Sequence, residues 1–170
     1  KSTGIIAGIE LAEKIFKFID RNIKFHKYYN DGDKVKYGDI IFNIYGNAIS
    51  ILSAERLVLN CMQKMSAISS KTSLLKSILQ TTKTTILDTR KTAPLNRIIE
   101  KWAVRIGGGE NHRLGLFDMI MIKDNHIDFN KDLKTTINKA IQFKKQNNLN
   151  VKIIVEVRTI NDIIEILNLN

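Results

Sequence analysis

The sequence predicts an α/β fold, and three observations carry the prediction. From residue 84 onward, short β-rich runs alternate with amphipathic helical stretches in the order β-α-β-α-β-α. Repeated units of this kind imply a parallel sheet or an α/β barrel. Before residue 53 the texture differs, with one helical stretch followed by small strand-like runs. The 170 residues, 44% of them hydrophobic, can fill the core of one ordinary domain or two small ones, which excludes wholesale disorder. Nine glycines and one proline exclude a collagen-like or low-complexity chain.

The elements follow in chain order. Residues 5–19 set Ile9, Ala12, Ile15, Phe16 and Ile19 on one helical face. Between Phe25 and Leu52, turn signals at Asn30-Asp31-Gly32-Asp33, Tyr37-Gly38-Asp39 and Tyr45-Gly46-Asn47 separate runs such as DIIFNIYG, predicting small antiparallel strands. Ser53 is a candidate cap for a helix from about Ala54 to Gln80. Its stripe is Leu57, Cys61, Met65, Ile68, Leu75 and Leu79, with Thr72 filling one step. TTILD (84–88) predicts a buried strand. Pro94 suits the first turn of a helix with inner face Ile98, Ile99, Trp102 and Ala103, ended by Gly107-Gly108-Gly109. DMIMI (118–122) predicts a second buried strand, and residues 132–146 a helix around Leu133, Ile137, Ala140 and Ile141. KIIVEV (152–157) predicts a third strand, and residues 161–169 a helix with Asn161 or Asp162 near its cap.

Composition narrows the function. The net charge of +10 could signal nucleic acid. It is spread as +5, +3 and +2 over residues 1–80, 81–126 and 127–170, and 20 of the 27 cations are Lys, so most of it reads as solvated surface. No apolar run reaches the roughly 18 residues that span a bilayer. KSTGIIAGIE has no long apolar stretch before Glu10, unlike a signal peptide. The single cysteine, Cys61, excludes an intrachain disulfide framework and fits a reducing, cytoplasmic setting. Neither a nucleic-acid nor a membrane partner is expected.

The candidate strands share charged C-terminal ends. TTILD runs into Thr89-Arg90-Lys91, DMIMI into Lys123-Asp124-Asn125-His126, and KIIVEV carries Glu156. Ligands of parallel sheets and α/β barrels bind at those ends. GGGENHR adds Asn111, His112 and Arg113, and its glycines would let backbone N–H groups approach an anion. Several fixed cations and one carboxylate suit a polyanionic substrate, with Arg as bidentate fork and Lys as point charge.

Residues 86–127 contain D-T-R-K-T, E-K-W-A-V, G-G-G-E-N-H-R-L-G-L and I-K-D-N-H. Upstream lie D-G-D-K-V-K-Y-G-D (31–39) and A-E-R-L-V-L-N (54–60), and downstream V-E-V (155–157). In order and spacing this set resembles the quinolinate phosphoribosyltransferase family, also called nicotinate-nucleotide pyrophosphorylase (carboxylating), over essentially the whole chain. The resemblance implies phosphoribosyl transfer from phosphoribosyl pyrophosphate to quinolinate with decarboxylation. The products are nicotinate mononucleotide, pyrophosphate and CO2, Mg²⁺ is the cofactor, and the reaction is a step of de novo NAD synthesis. It implies part of an N-terminal α/β sandwich in residues 1–52, a long helical connection in 53–83 and a partial α/β barrel in 84–170. It also implies a homodimer in which Arg56 enters the neighbouring subunit's site. Arg90, His112, Arg113 and Lys123 would contact quinolinate or the phosphoribosyl group. Lys91 and Lys123 would face phosphates, and Glu156 the ribose or its metal. Lys123 and Glu156 are the catalytic candidates.

Departures are Ala93-Pro94-Leu95-Asn96 where the family usually has T-P-G, Ser66-Ala67-Ile68 for S-G-I, and Arg158 where an acid often follows V-E-V. Arg158 removes a second acidic ligand from that strand. The family continues with an L-D-N strand and glycine-rich phosphate loops, so the chain is expected to be a fragment, open at the barrel and inactive alone. Alternatives are a paralogous phosphoribosyltransferase of the same fold, a decayed relic, or a basic RNA-binding module. The last would need clustered basic residues interleaved with aromatics.

Overall fold

A computed structural model describes residues 3–169. They form two compact units, within Lys1–His112 and Arg113–Asn170. Helices and strands mix in both, as an α/β fold requires.

The first unit opens with β1 (Gly4–Ile5), α1 (Ile9–Ile19), β2 (Lys24–Lys27), β3 (Lys34–Val35) and β4 (Phe42–Tyr45). β1 pairs antiparallel with β3, and β2 with β4. The helix expected from residue 5 begins at Ile9, because residues 4–5 join β3 and Gly8 adopts φ +99°. Gly8 has no side chain to cap α1. Asp31 supplies the cap from a distance, its carboxylate accepting from Ile9 N at 2.8 Å and Glu10 N at 3.3 Å. Ile9, Ala12 and Phe16 pack with Ile23, Ala54, Val58 and Met62, and Phe25, Phe42 and Ile44 close over them.

α2 (Ala48–Ile78) begins earlier than Ser53. Asn47 is its cap, accepting from Ile49 N and Ser50 N, while the Ser53 hydroxyl donates back to the Ile49 carbonyl. Its buried face is Ala54, Val58, Met62, Met65, Ser69 and Thr72. Leu57 is 55% exposed and Leu75 39%, so the inner stripe is turned away from the most apolar side. Small polar residues face inward for a reason. Ser70 Oγ accepts from Ile5 N at 2.8 Å and Ser66 Oγ from Ala7 N at 3.0 Å, satisfying the backbone around β1.

α3 (Arg97–Ile106) lies against α2. Pro94 is not in its first turn. Pro94 and Leu95 form a turn ahead of it, with Leu95 at φ +63°. Its buried residues are Lys101 and Ala103, whereas Ile98 is 71% exposed. TTILD does not form a strand among the described residues. Only Leu87 pairs, in an isolated parallel bridge with Glu110, in which Asp88 N donates to the Glu110 carbonyl at 3.2 Å and Glu110 N donates to the Ile86 carbonyl at 2.8 Å.

The second unit holds β5 (Met119–Ile122), α4 (Asp124–Asn130), α5 (Leu133–Gln146), β6 (Lys152–Val155) and α6 (Ile160–Leu167). β5 and β6 pair in parallel, in register from Met119↔Lys152 to Ile122↔Val155. Ile122, Leu133 and Ile137 form the core, with Ile153, Val155 and Ile166 packed against it. α4 was not expected from the sequence. α6 is capped by Thr159, not Asn161 or Asp162, and Asp162 serves as the reciprocal partner that accepts from Thr159 N.

Candidate active site

In the first unit the site is built around Asp88, at the end of the run that pairs with Glu110. Its carboxylate forms an ion pair with Lys101 Nζ, and the two side chains are 7% and 3% exposed. Asp88 Oδ1 also accepts from His112 N at 2.9 Å. With the Asn111 amide oriented so that its nitrogen faces the surrounding acceptors, it donates to Asp88 Oδ2 at 2.8 Å and the Lys101 carbonyl at 2.9 Å. One buried carboxylate therefore joins D-T-R-K-T, E-K-W-A-V and N-H-R. Glu100 holds the following loop, accepting from Ala93 N at 3.2 Å and pairing with Lys64 at 2.8 Å.

Arg90 and Lys91 leave this frame on the loop after Asp88. Arg90 Nε is buried without a hydrogen-bond partner among the described residues. An orphaned guanidinium donor is costly unless an acceptor arrives, so it marks a place for an anion. Lys91 is exposed, and His112 half-buried. A cavity of about 170 Å³ is lined by Asp88, Thr89, Lys91, Thr92, Glu100 and Lys101, among others. That is below the size of typical ligand pockets. A larger groove of about 430 Å³, beside Tyr37, Gly38, Asp39 and Gln63, contains none of the candidate residues.

The glycine run does not offer free donors. Gly107 N, Gly108 N and Gly109 N donate to the carbonyls of Ala103, Arg105 and Val104, ending α3. Its glycines serve packing instead. A Cβ on Gly107 would lie 2.5 Å from the Ser69 carbonyl oxygen and 2.7 Å from Thr72 Cβ, so α2 and α3 could not meet. Ser69 Oγ uses that closeness to donate to the Ala103 carbonyl at 2.7 Å.

In the second unit Arg113 is 8% exposed. Lys123 follows β5 and Glu156 follows β6, and the parallel register brings them together, Nζ to Oε2 3.9 Å. Glu156 N extends the ladder by donating to the Ile122 carbonyl at 2.9 Å. Lys123 N donates to His126 Nδ1 at 2.9 Å, tying the K-D-N-H segment to the strand end. Arg158 grips Asp128 bidentately at 2.9 and 2.7 Å and lies 3.8 Å from Asp124. That hydrogen bonding holds the Asp128 carboxyl below its ordinary range and raises the Arg158 guanidinium. Arg56 stands exposed on α2, with no hydrogen bond or ion pair to the other candidates among the described residues.

The donors suit a hard cation only as a shared ligand set. Among the described residues no group of three or more His, Cys, Asp or Glu could hold a metal. Asp124 and Asp128 are taken by Arg158, which leaves Glu156 as the carboxylate beside Lys123. Mg²⁺ commonly takes one or two carboxylates and completes its shell with water and substrate phosphates, so Glu156 fits a metal that arrives with a diphosphate. Sequence reasoning missed Asp88 and Lys101. The available signal was a charge at the end of an apolar run and a Lys next to Trp102 in a helix.

The first unit presents Arg90 and Lys91 on the loop after Asp88, and the second presents Lys123 and Glu156 after its two parallel strands, cations and a carboxylate that suit anionic ligands. The model of the quinolinate phosphoribosyl transferase C-terminal domain matches residues 68–170, and that of the N-terminal domain residues 1–66. The chain belongs to the quinolinate phosphoribosyltransferase family. It is 48% identical, over 99% of its length and 47% of the relative's, to quinolinate phosphoribosyltransferase [decarboxylating] 2b, mitochondrial, of Nicotiana tabacum. It is 46% identical, over 75% of its length and 44% of the relative's, to a probable nicotinate-nucleotide pyrophosphorylase [carboxylating] of Bacillus subtilis. The solved nicotinate-nucleotide pyrophosphorylase of Francisella tularensis superposes with a TM-score of 0.86 at 38% identity, over 96% of this chain and 57% of that one. The chain thus spans about half the length of the curated relatives it matches.

Proposed function

We propose that the protein carrying this chain transfers a phosphoribosyl group from phosphoribosyl pyrophosphate to quinolinate, with loss of CO2, to make nicotinate mononucleotide. The observation that carries the reading is the buried, partnerless Arg90 Nε beside Lys91, within the motif set of a family whose relatives are named for this reaction. Quinolinate has two carboxylates, and its co-substrate a phosphate and a diphosphate. Arg90, His112 and Arg113 are proposed to clamp the carboxylates and the phosphoribosyl group. Lys91 and Lys123 are proposed to face phosphate oxygens. Fixing two polyanions in line removes much of the entropic barrier.

Departure of the diphosphate leaves positive charge on the anomeric carbon of the ribose, and a carboxylate such as Glu156 stabilises it. Mg²⁺, when bound, would neutralise charge on the departing diphosphate, and Glu156 is the residue proposed to hold it. The quinolinate ring nitrogen bonds to the anomeric carbon, and the C2 carboxylate then leaves as CO2, its bonding electron pair staying at C2, where neighbouring cations favour it until a proton from water replaces the carboxylate. We further propose a homodimer in which Arg56 serves the neighbouring site. Arg56 is exposed on α2, with Ile49, Leu52 and Leu57 exposed on the same helix. A cytoplasmic location is proposed from Cys61, the single cysteine. Its thiol is free among the described residues, and burial raises its pKa, which lowers its reactivity.

Turnover by the whole protein, with quinolinate or nicotinate offered beside phosphoribosyl pyrophosphate and Mg²⁺, tests this. The expected result is nicotinate mononucleotide from quinolinate alone. Product from nicotinate, or none from either, would overturn it.

A further inference from the structure

We infer that Asp88 is a positioning residue for the candidate site, and that it acts by accepting hydrogen bonds and not merely by balancing Lys101. The inference rests on the proposed function for its turnover readout. Its geometry stands apart from that reading.

Three donors from two segments converge on the Asp88 carboxylate: Lys101 Nζ from α3, the backbone N–H of His112, and the side-chain amide of Asn111. The Asp88 and Lys101 side chains are 7% and 3% exposed, so this pair is held away from bulk water. Two bonds fall on consecutive residues, which fixes the path of the chain at Asn111-His112. The same residue lies two positions before Arg90, so one buried group sets the origin of the Arg90-Lys91 loop and the backbone that carries His112. Lys101 in turn is anchored, because its carbonyl accepts from Asn111 and its helix is held to α2 through Ser69. A buried pair kept only for stability has a different signature. Replacing it by apolar residues of similar volume is often neutral or stabilising.

Two double variants in the whole protein separate these roles. D88N/K101M removes both charges and keeps an acceptor for His112 N–H. D88L/K101M keeps the volume and removes the acceptor too. D88N/K101M is expected to melt near the wild-type temperature, and D88L/K101M, which leaves the His112 N–H and the Asn111 amide without this acceptor, a few degrees lower. D88L/K101M should lose about 100-fold in turnover of quinolinate, as expected for a catalytic group displaced by about 1 Å. D88N/K101M should lose less than about tenfold. Amide hydrogen exchange at His112 should accelerate in D88L/K101M and stay slow in D88N/K101M. A D88L/K101M protein that turns over within about threefold of wild type overturns the inference. So does unchanged His112 protection in that variant. If D88L/K101M does not fold, D88N/K101M decides: rapid His112 exchange or a loss near 100-fold despite the retained acceptor overturns it. If the wild-type protein does not use quinolinate, the functional reading has failed, and His112 exchange in the two variants still decides the role of Asp88.

Discussion

Single residues divide into those that frame the site and those that face its ligand. Arg113 is nearly buried and Lys123 is half-buried, 3.9 Å from Glu156. Truncating either should remove charge stabilisation worth about 3 kcal/mol, near 100-fold in kcat/KM. Steady-state kinetics of Arg113→Ala and Lys123→Ala would show it, and near-wild-type turnover would remove that residue from the proposed machinery. Leu95 gives a test of a different kind. It stands in the run that departs from the family's T-P-G, adopts φ +63° and is fully exposed. A left-handed backbone is unfavourable for a side chain with no contacts to offset it. Leu95→Gly should therefore raise stability by about 0.5–1 kcal/mol in chemical denaturation, without changing turnover.

Acid sensitivity follows from the same scale. The Asp128 carboxyl is held low by the hydrogen bonds from Arg158, Asp132 by those from Thr135, and Asp162 by the backbone N–H groups of Thr159 and Arg158. A carboxyl whose folded value is depressed adds stability above its unfolded value, and that stability is lost as pH falls through the folded value. The second unit should accordingly weaken below about pH 4. Arg158→Ala should move the Asp128 titration upward, which carboxyl NMR can follow.

Elements were legible where burial and periodicity agree. α1, α5, the antiparallel β2–β4 pair and the parallel β5–β6 pair follow from the pattern of apolar residues and turn signals, whereas β1 begins where a helix is expected. α2 was misregistered because its inner face is chosen by closeness and hydrogen bonding. Ser66, Ser69 and Ser70 serve backbone groups of other elements, which a hydrophobic pattern does not encode. α3 keeps Ile99, Trp102 and Ala103 on its packed face as expected, while Ile98 is exposed and Lys101 turns inward to meet Asp88. The glycine run misled because donors that look free in a sequence are consumed by the helix they terminate. Two substitutions test this account. Gly107→Ala should cost about 1–3 kcal/mol by forcing α2 from α3. Asn47→Ala should cost about 1 kcal/mol by removing the cap of α2. Thermal melts would read both.

At the scale of the whole molecule, the cationic candidates were legible because chemistry confines them to short, spaced motifs. Their supporting frame was not, since Asp88 and Lys101 draw their meaning from each other across the fold. The formal charge of +10 also resolves into parts. The share proposed to meet small multivalent anions is Arg56, Arg90, Lys91, Arg113 and Lys123. The apolar residues exposed on α2 suit the proposed homodimer. Sedimentation of the whole protein should give twice the mass of one chain, and Leu52→Glu should shift it toward the monomer.

The site is proposed to couple phosphoribosyl transfer to loss of a carboxylate. The most direct test is the stoichiometry of a single reaction, in which CO2 and pyrophosphate released from quinolinate and phosphoribosyl pyrophosphate are measured together. Equal amounts are expected, matched by nicotinate mononucleotide. Pyrophosphate released without CO2 would contradict it.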